Sequence, residues 1–406
     1  MASTHGVDVT SDRQPLTANN NTGRVRVQKT KSIAIGVAVG AIVLIACAIA
    51  IPLALNSNNV PSPSPSPGVQ CPTGFCTKFA SEISVMKDMP GEAPSLLSFS
   101  QTLDDRAQCV VRRAFVVGGV GTAGWAQMWS LSTNPTALGN VTETTVLVSS
   151  SSGVFNWPHA IVQDPCSGSL FVADADDNVV DTLQCQDPTA GAGCTSFAAV
   201  QNWTSQFFNP LGLHSILTLD DVASGSCPDS TSNPPMFVTG GVTSTDSYVG
   251  KRTTAGVAQI LVPPSLEVLD KVYSPSPRVN GSVVVADAFN NRIAQVDCAD
   301  ANSNPVACAD ATATSATVST ILSTYYPRAV EVVVNANGTE VAFVAGGDAT
   351  ASTTYVKQIN LNTGEVSTVI EGVFNNPHCV VVDPTSLDLI VCDKGNNRVV
   401  RLRCDE

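Results

Sequence analysis

Histidine is scarce in this chain, and its placement is patterned. Of four histidines in 406 residues, His159 and His378 each follow a proline directly and each stand 11 residues before an apolar run, at Leu170 and Leu389. A neutral imidazole is a metal ligand, a hydrogen-bonding group or a proton carrier near neutral pH. A second recurring set is Asp174, Asp287 and Asp393, followed by Asn178, by Asn290 and Asn291, and by Asn396 and Asn397, with Arg292 and Arg398 close behind. In a tight turn Asp accepts backbone N–H groups, Asn tolerates left-handed geometry, and an Arg on the returning strand reaches back to the Asp. That set is read first as a device that holds turns together and only then as a site.

These residues sit in repeated text. Residues 372–404 read GVFNNPHCVVVDPTSLDLIVCDKGNNRVVRLRC, and 153–185 read GVFNWPHAIVQDPCSGSLFVADADDNVVDTLQC. A shorter copy, VVVADAFNNRIAQVDC, spans 283–298. Short β-rich runs split by turn residues predict consecutive antiparallel strands. A unit of this kind cannot bury both faces alone, so copies must stack, which points to blades of a β-propeller. F-V-x-G-G segments at Phe115, Phe237 and Phe343 alternate with the Asp segments, and each kind recurs at intervals of 106 to 122 residues. The repeating unit is therefore a pair of blades used three times, and residues 71–406 divide into six blades of about 56 residues.

The wording F-N-x-P-H-x-x-V-x-D-P, followed by V-x-D-x-x-N-N-R, resembles the NHL repeat family, whose domains are commonly six-bladed propellers. The expected fold is all-β, a six-bladed β-propeller of three two-blade units. The Pro-His frame also resembles the repeats of peptidylglycine amidating lyases, in which three histidines from alternate blades hold a zinc ion. That resemblance implies His159 and His378 as ligands, with the third due in blade four, where the chain has Tyr273-Ser-Pro-Ser-Pro-Arg278. His214, three residues beyond the frame in blade three, is the remaining candidate, and zinc or calcium are the ions considered. Arg278, taken as the blade-four counterpart of the histidines, and Arg328, directly after Pro327 in blade five, add positive charge instead. Arginine stays protonated and cannot ligate a cation, so the same rim is expected to take an anionic or polar small group or a partner's side chain.

Composition frames the rest. Of 13 cysteines, Cys47 lies in an apolar stretch and the other 12 follow residue 70, which fits an oxidising compartment. Cys194 and Cys308 shortly follow Cys185 and Cys298, which predicts the pairs Cys185–Cys194 and Cys298–Cys308. Cys404 has no such follower, but CTKFASEI from Cys76 echoes CTSFAAV from Cys194. Residues 77–86 are therefore expected to supply the outer strand of blade six, with Cys76 bonded to Cys404. Cys379 and Cys392 flank one hairpin and should pair, while Cys71, Cys109, Cys166 and Cys227 are left open.

Residues 1–31 read as a polar, disordered tail with five basic and two acidic residues. Ser32 to Leu55 is 24 residues without a charge, long enough to cross a bilayer as a helix. The basic flank predicts a type II single-pass anchor with the N-terminus in the cytosol and the large part at the cell surface or in an endomembrane lumen. Gly36 and Gly40 form a small-xxx-small pair that could support helix dimerisation or simply fill the span. Residues 56–70, centred on PSPSPSP, read as an extended stalk. Sequons at Asn140, Asn202, Asn280 and Asn337 suit a glycosylated exterior. Setting aside the tail's charges leaves 16 basic against 32 acidic residues, which argues against nucleic acid as a partner. No Gly-rich phosphate loop, nucleophile elbow or HExxH motif is present. The leading reading is a membrane-anchored propeller that binds a protein or small molecule at its rim. The rival is a propeller enzyme working at the channel mouth, either amidating-lyase-like or similar to gluconolactonase and strictosidine synthase.

Overall fold

A computed structural model describes residues 76–405 except 77, 90, 104–108, 133–138, 188–192, 205, 217–226, 228–233, 311, 336 and 349–352. The tail, the apolar stretch with Gly36 and Gly40, and the stalk lie outside the described residues. Among the described residues no helix is long and apolar enough to cross a membrane.

The chain forms six antiparallel sheets, one per blade. Blade one is β2 (Pro94–Leu103), β3 (Cys109–Gly118), β4 (Trp125–Leu131) and β5 (Val141–Val148). Blade two is β6 (Pro158–Gln163), β7 (Leu170–Asp174), β8 (Val179–Cys185) and β9 (Phe197–Thr204). Blade three follows with β10 (Pro210–Ser215), β11 (Met236–Gly240), β12 (Tyr248–Arg252) and β13 (Ala258–Val262). Blade four holds β14 (Val272–Pro277), β15 (Val283–Asp287), β16 (Arg292–Ala299), the short β17 (Pro305–Val306) and β18 (Ser315–Ser323). Blade five is β19 (Pro327–Val334), β20 (Glu340–Gly346), β21 (Tyr355–Asn360) and β22 (Val366–Glu371). Blade six takes β23 (Pro377–Val382), β24 (Leu389–Asp393) and β25 (Arg398–Cys404) from the end of the chain and β1 (Phe79–Asp88) from its start, β1 pairing with β25 as the repeat predicts.

The second strand of every blade from two to six is buried along its whole length. Period-two alternation explains why these strands read as unbroken apolar runs: successive side chains face opposite neighbours. Val283 and Val285 pack toward blade three, whereas Val284 and Ala286 pack toward blade five. Outermost strands such as β5 and β22 are largely exposed and carry Thr, Ser and Glu. Six apolar clusters result, one at each interface between neighbouring blades, including the one between blades six and one. Truncating a fully buried side chain in such a cluster, Ile390 for example, to Ala costs about 2–5 kcal/mol.

Disulfides join Cys76–Cys404, Cys185–Cys194, Cys298–Cys308 and Cys379–Cys392, the four expected pairs. A fifth, Cys166–Cys227, resolves two of the cysteines that spacing left open. Together the five bonds fit an extracellular or lumenal location. The four sequon asparagines are all exposed.

Candidate functional site at the channel neck

Each innermost strand begins beside the central axis, and its first two residues set the local geometry. The residue just before it has a left-handed backbone in five blades: Trp157 (φ 69°), Asn209 (47°), Lys271 (56°), Tyr326 (45°) and Asn376 (55°). Such angles are uncommon outside glycine and asparagine and mark positions held by their surroundings. Backbone bonds do the holding in four of the five. The carbonyl groups of Trp157, Asn209, Lys271 and Tyr326 accept the N–H groups of Ala175, Gly241, Ala288 and Gly347, at 3.0–3.3 Å.

Counting from the paired Asp or Gly on the second strand, the next residue in each blade is Ser95, His159, Leu211, Tyr273, Arg328 and His378. Three aromatic rings from alternate blades meet here. The ring centres of His159 and His378 are 5.8 Å apart, those of His159 and Tyr273 5.9 Å, and those of Tyr273 and His378 6.1 Å. All three residues are buried. Arg328 Nη1 donates to His378 Nε2 at 2.7 Å, and its guanidinium lies over Tyr326, 4.4 Å from the ring centre. Because guanidinium only donates, His378 Nε2 must accept, which makes this histidine neutral with its proton on Nδ1. Burial, helped by the positive charges of Lys394 and Arg328, holds His378 well below the usual imidazole range. Burial with Lys394, Lys271 and Arg328 does the same to His159. The Nε2 of His159 has no hydrogen-bond partner.

Lys394, from the turn after β24, sends its ammonium into this neck and donates to Ser95 Oγ at 3.1 Å. Burial, with Arg328 and Lys271 nearby, pushes its pKa down to about 7. Lys271 is lowered too, chiefly by burial and secondarily by Arg328, while Tyr326 and Asp270 oppose the shift. Among the described residues none of Lys271, Arg328 and Lys394 forms an ion pair. The neck is thus a small, positively charged, aromatic-walled constriction whose histidines are neutral.

Two residues expected at this rim lie elsewhere. Arg278 follows the last residue of β14, at the opposite end of the innermost strand from Tyr273, and is locked to Glu340 at 2.7 Å and to Gln295 at 2.6 Å. Blade four opens its innermost strand with Val272 rather than Pro277, so Tyr273, not Arg278, is the counterpart of the histidines. His214 is the fifth residue of β10 rather than the second, about 10 Å farther along the strand at 3.3 Å per residue. Its Nδ1 donates to the Ser215 carbonyl at 2.6 Å.

A zinc or calcium ion does not fit the neck. His378 Nε2 is already engaged by Arg328, three cationic groups surround the histidines, and a phenol stands in the third position. Among the described residues no group of three or more His, Cys, Asp and Glu gathers to hold a metal. Sequence reasoning missed Tyr273, Lys394 and Ser95. Counting back from Asp287 by the 15 residues that separate His159 from Asp174 and His378 from Asp393 lands on Val272, one residue short of Tyr273, because the blade-four hairpin is one residue shorter. Lys394 and Ser95 carry no such signal, because neither type recurs at its position.

The recurring aspartates are turn clasps. Asp287 accepts Asp270 N–H at 2.8 Å and Arg292 Nε at 2.7 Å, and Asp393 accepts Asn375 N–H at 2.6 Å and Arg398 Nε at 2.7 Å. Among the described residues Asp174 accepts only the Asn156 N–H, at 2.8 and 3.0 Å to its two oxygens, and Val179 stands where the others have arginine.

Fold and motif agree on the class: this is a six-bladed β-propeller with NHL-type text in its final blade. The NHL repeat model matches residues 374–402, which run from just before β23 to Leu402 in β25. No curated protein matches the chain. Among solved structures, an auxiliary nutrient binding protein from Bacteroides thetaiotaomicron is similar at 12% identity and a TM-score of 0.49, covering 82% of this chain and 76% of its own. A candidate gluconolactonase matches at 9% identity and 0.49, over 82% of this chain and 97% of its own. A chain of a nidogen/laminin complex matches at 13% and 0.47, over 71% and 84%. Likeness at this level carries no argument about what the present chain binds.

Proposed function

We propose that this protein is a membrane-held binding module whose propeller takes an anionic or polar group at the channel neck. The observation that carries the reading is the convergence of Lys271, Arg328 and Lys394, unpaired among the described residues, in a domain with 16 basic and 32 acidic residues beyond its tail. Burying cations without a counter-charge is costly, and an incoming anion offsets that cost. His159 adds an unpartnered ring nitrogen at the same place. The uncharged 24-residue stretch from Ser32 with its basic flank supports a type II anchor, and the disulfides suit an exterior or lumenal propeller. A protease expressed in the cytosol of intact cells should then spare a C-terminal tag.

The test of the site is calorimetric titration of the full chain with sodium phosphate and sodium succinate. Binding of at least one, weakened tenfold or more by His159→Ala/His378→Ala and by Lys394→Gln with folding retained, is the expected result. The metal content of the double variant should equal that of the parent. A stoichiometric zinc ion present in the parent and lost in the double variant would replace the binding reading with the lyase-like one.

A further inference from the structure

Beyond the neck the channel widens. All six innermost strands enclose a cavity of about 320 Å³ that starts one residue past the His-Tyr-Arg layer, within the range of small-molecule sites. Its wall is largely apolar, with Ile161, Pro275 and Val381 from three blades. Against that wall stand three groups the neck does not use: Gln163, His214 and Glu331, from blades two, three and five.

Each of the three offers an acceptor. The single carboxylate lining the cavity belongs to Glu331, which has no hydrogen-bond or ion-pair partner among the described residues. His214 uses Nδ1 as a donor to the Ser215 carbonyl, and burial lowers its pKa, so the neutral ring keeps Nε2 as an acceptor. Gln163, 93% buried, gives its amide N–H to the Gly168 carbonyl at 3.0 Å, and its Oε1 is left without a partner. A greasy cavity that presents a carboxylate and two further acceptors but no competing cation is complementary to a primary ammonium with its three N–H donors.

We propose that this cavity binds the ammonium head of an amphiphilic primary amine, with Glu331 as counter-ion, His214 and Gln163 as further acceptors, and the apolar wall covering the rest of the ligand. Burial pushes Glu331 up to about 7, so part of its population carries a proton at neutral pH, and a cationic ligand supplies what that proton supplies. The acidic balance of the domain draws cations toward it. The same head group occurs on free amines and on lysine side chains of peptides. This site is independent of the anion reading, since it uses none of the neck residues.

The experiment is isothermal titration of the full chain with 2-phenylethylammonium, with uncharged 2-phenylethanol, and with a capped lysine peptide. Expected is saturable binding of the amine, at least tenfold weaker binding of the alcohol, and a tenfold or greater loss of amine affinity in Glu331→Gln with the alcohol unaffected. Lys394→Gln should leave amine binding unchanged, which separates failure here from failure at the neck. Tighter binding of the lysine peptide, also lost in Glu331→Gln, supports the same acceptor site and assigns a peptide source. Equal affinity for amine and alcohol in the parent protein, no binding of either cation, or undiminished amine binding in Glu331→Gln overturns the proposal. The amine-against-alcohol comparison decides without any variant should Glu331→Gln not fold.

Discussion

Odd and even blades close the same hairpin by different chemistry. In blades one, three and five the second strand ends on glycine facing an aromatic ring, in the pairs Gly118 with Trp125, Gly240 with Tyr248 and Gly346 with Tyr355. In blades two, four and six the same register holds Asp174 with Val179, Asp287 with Arg292 and Asp393 with Arg398. Glycine is required in the first set because a Cβ would meet the ring, 2.7 Å from Trp125 Cζ2 and 2.5 Å from the hydroxyls of Tyr248 and Tyr355. Both devices steady the segment that leads into the innermost strand. Tyr355 Oη donates to the Tyr325 carbonyl at 2.8 Å, much as Asp287 accepts the Asp270 N–H. The comparison teaches that the recurring aspartate is exchangeable structure, while the residues it positions differ: even blades send His159, Tyr273 and His378 to the axis, odd blades Ser95, Leu211 and Arg328.

Forcing one device into the other's place should have the largest effect. Gly346→Asp drives a side chain into Tyr355 Oη, Pro327 Cα and the Tyr326 carbonyl, and should cost about 3 kcal/mol or more. Chemical denaturation reads this directly, and a near-neutral variant would mean that the two hairpin types are interchangeable at will.

A middle-sized effect separates blades within the even set. Asp287→Ala strands the Arg292 guanidinium and the Asp270 N–H, with an expected loss of about 3 kcal/mol. Asp174→Ala removes only the bonds from Asn156 and should lose about 1–2 kcal/mol. Equal losses by thermal or denaturant unfolding would deny arginine its part in the clasp.

The smallest effect is a pH dependence. Burial, joined by the charges of Asp177, Asp181 and Asp176 and opposed by the Asn156 N–H, raises Asp174 from 3.8 to about 8. A folded-state value above the unfolded one means that the contribution of this group is full below about pH 4 and is lost as pH rises toward 8. Val179→Arg restores the partner present in blades four and six and should lower that value. Its gain in unfolding midpoint over the parent should therefore be larger at pH 8.5 than at pH 5, and an offset independent of pH would sink the argument.

Much of this architecture was legible because propellers write it locally. Blades one to five are contiguous meanders and blade six borrows only β1, so repeated text gives blade number, strand order, the four expected disulfides and closure by β1. The axis was harder to read, because it is assembled from single residues of six distant segments. His159 and His378 stood out by their proline, whereas Tyr273 follows Val272, and the prolines at 275 and 277 drew the alignment toward Arg278. The cavity groups left even less trace. His214 stands out of the Pro-His frame, and Glu331 is one acid inside the otherwise apolar run AVEVVV, whose meaning depends on facing a hollow.

The pairing of β1 with β25 also fixes an order in time. Residues 79–88 are synthesised first among the propeller strands, and their partner is synthesised last, so β1 has no native edge until the sixth blade is complete. Meanwhile blade two is finished by β9, behind a CTSFAAV opening that closely matches the CTKFASEI leading into β1, and its Cys185 and Cys194 find each other across 9 residues rather than 328. Cys76 therefore meets its native partner only when residue 404 arrives, and formation of that bond reports that the whole ring has been made. A chain cut short before β25 lacks the native partner of Cys76 and leaves an open strand edge on β24, two features that distinguish an unfinished copy from a finished one.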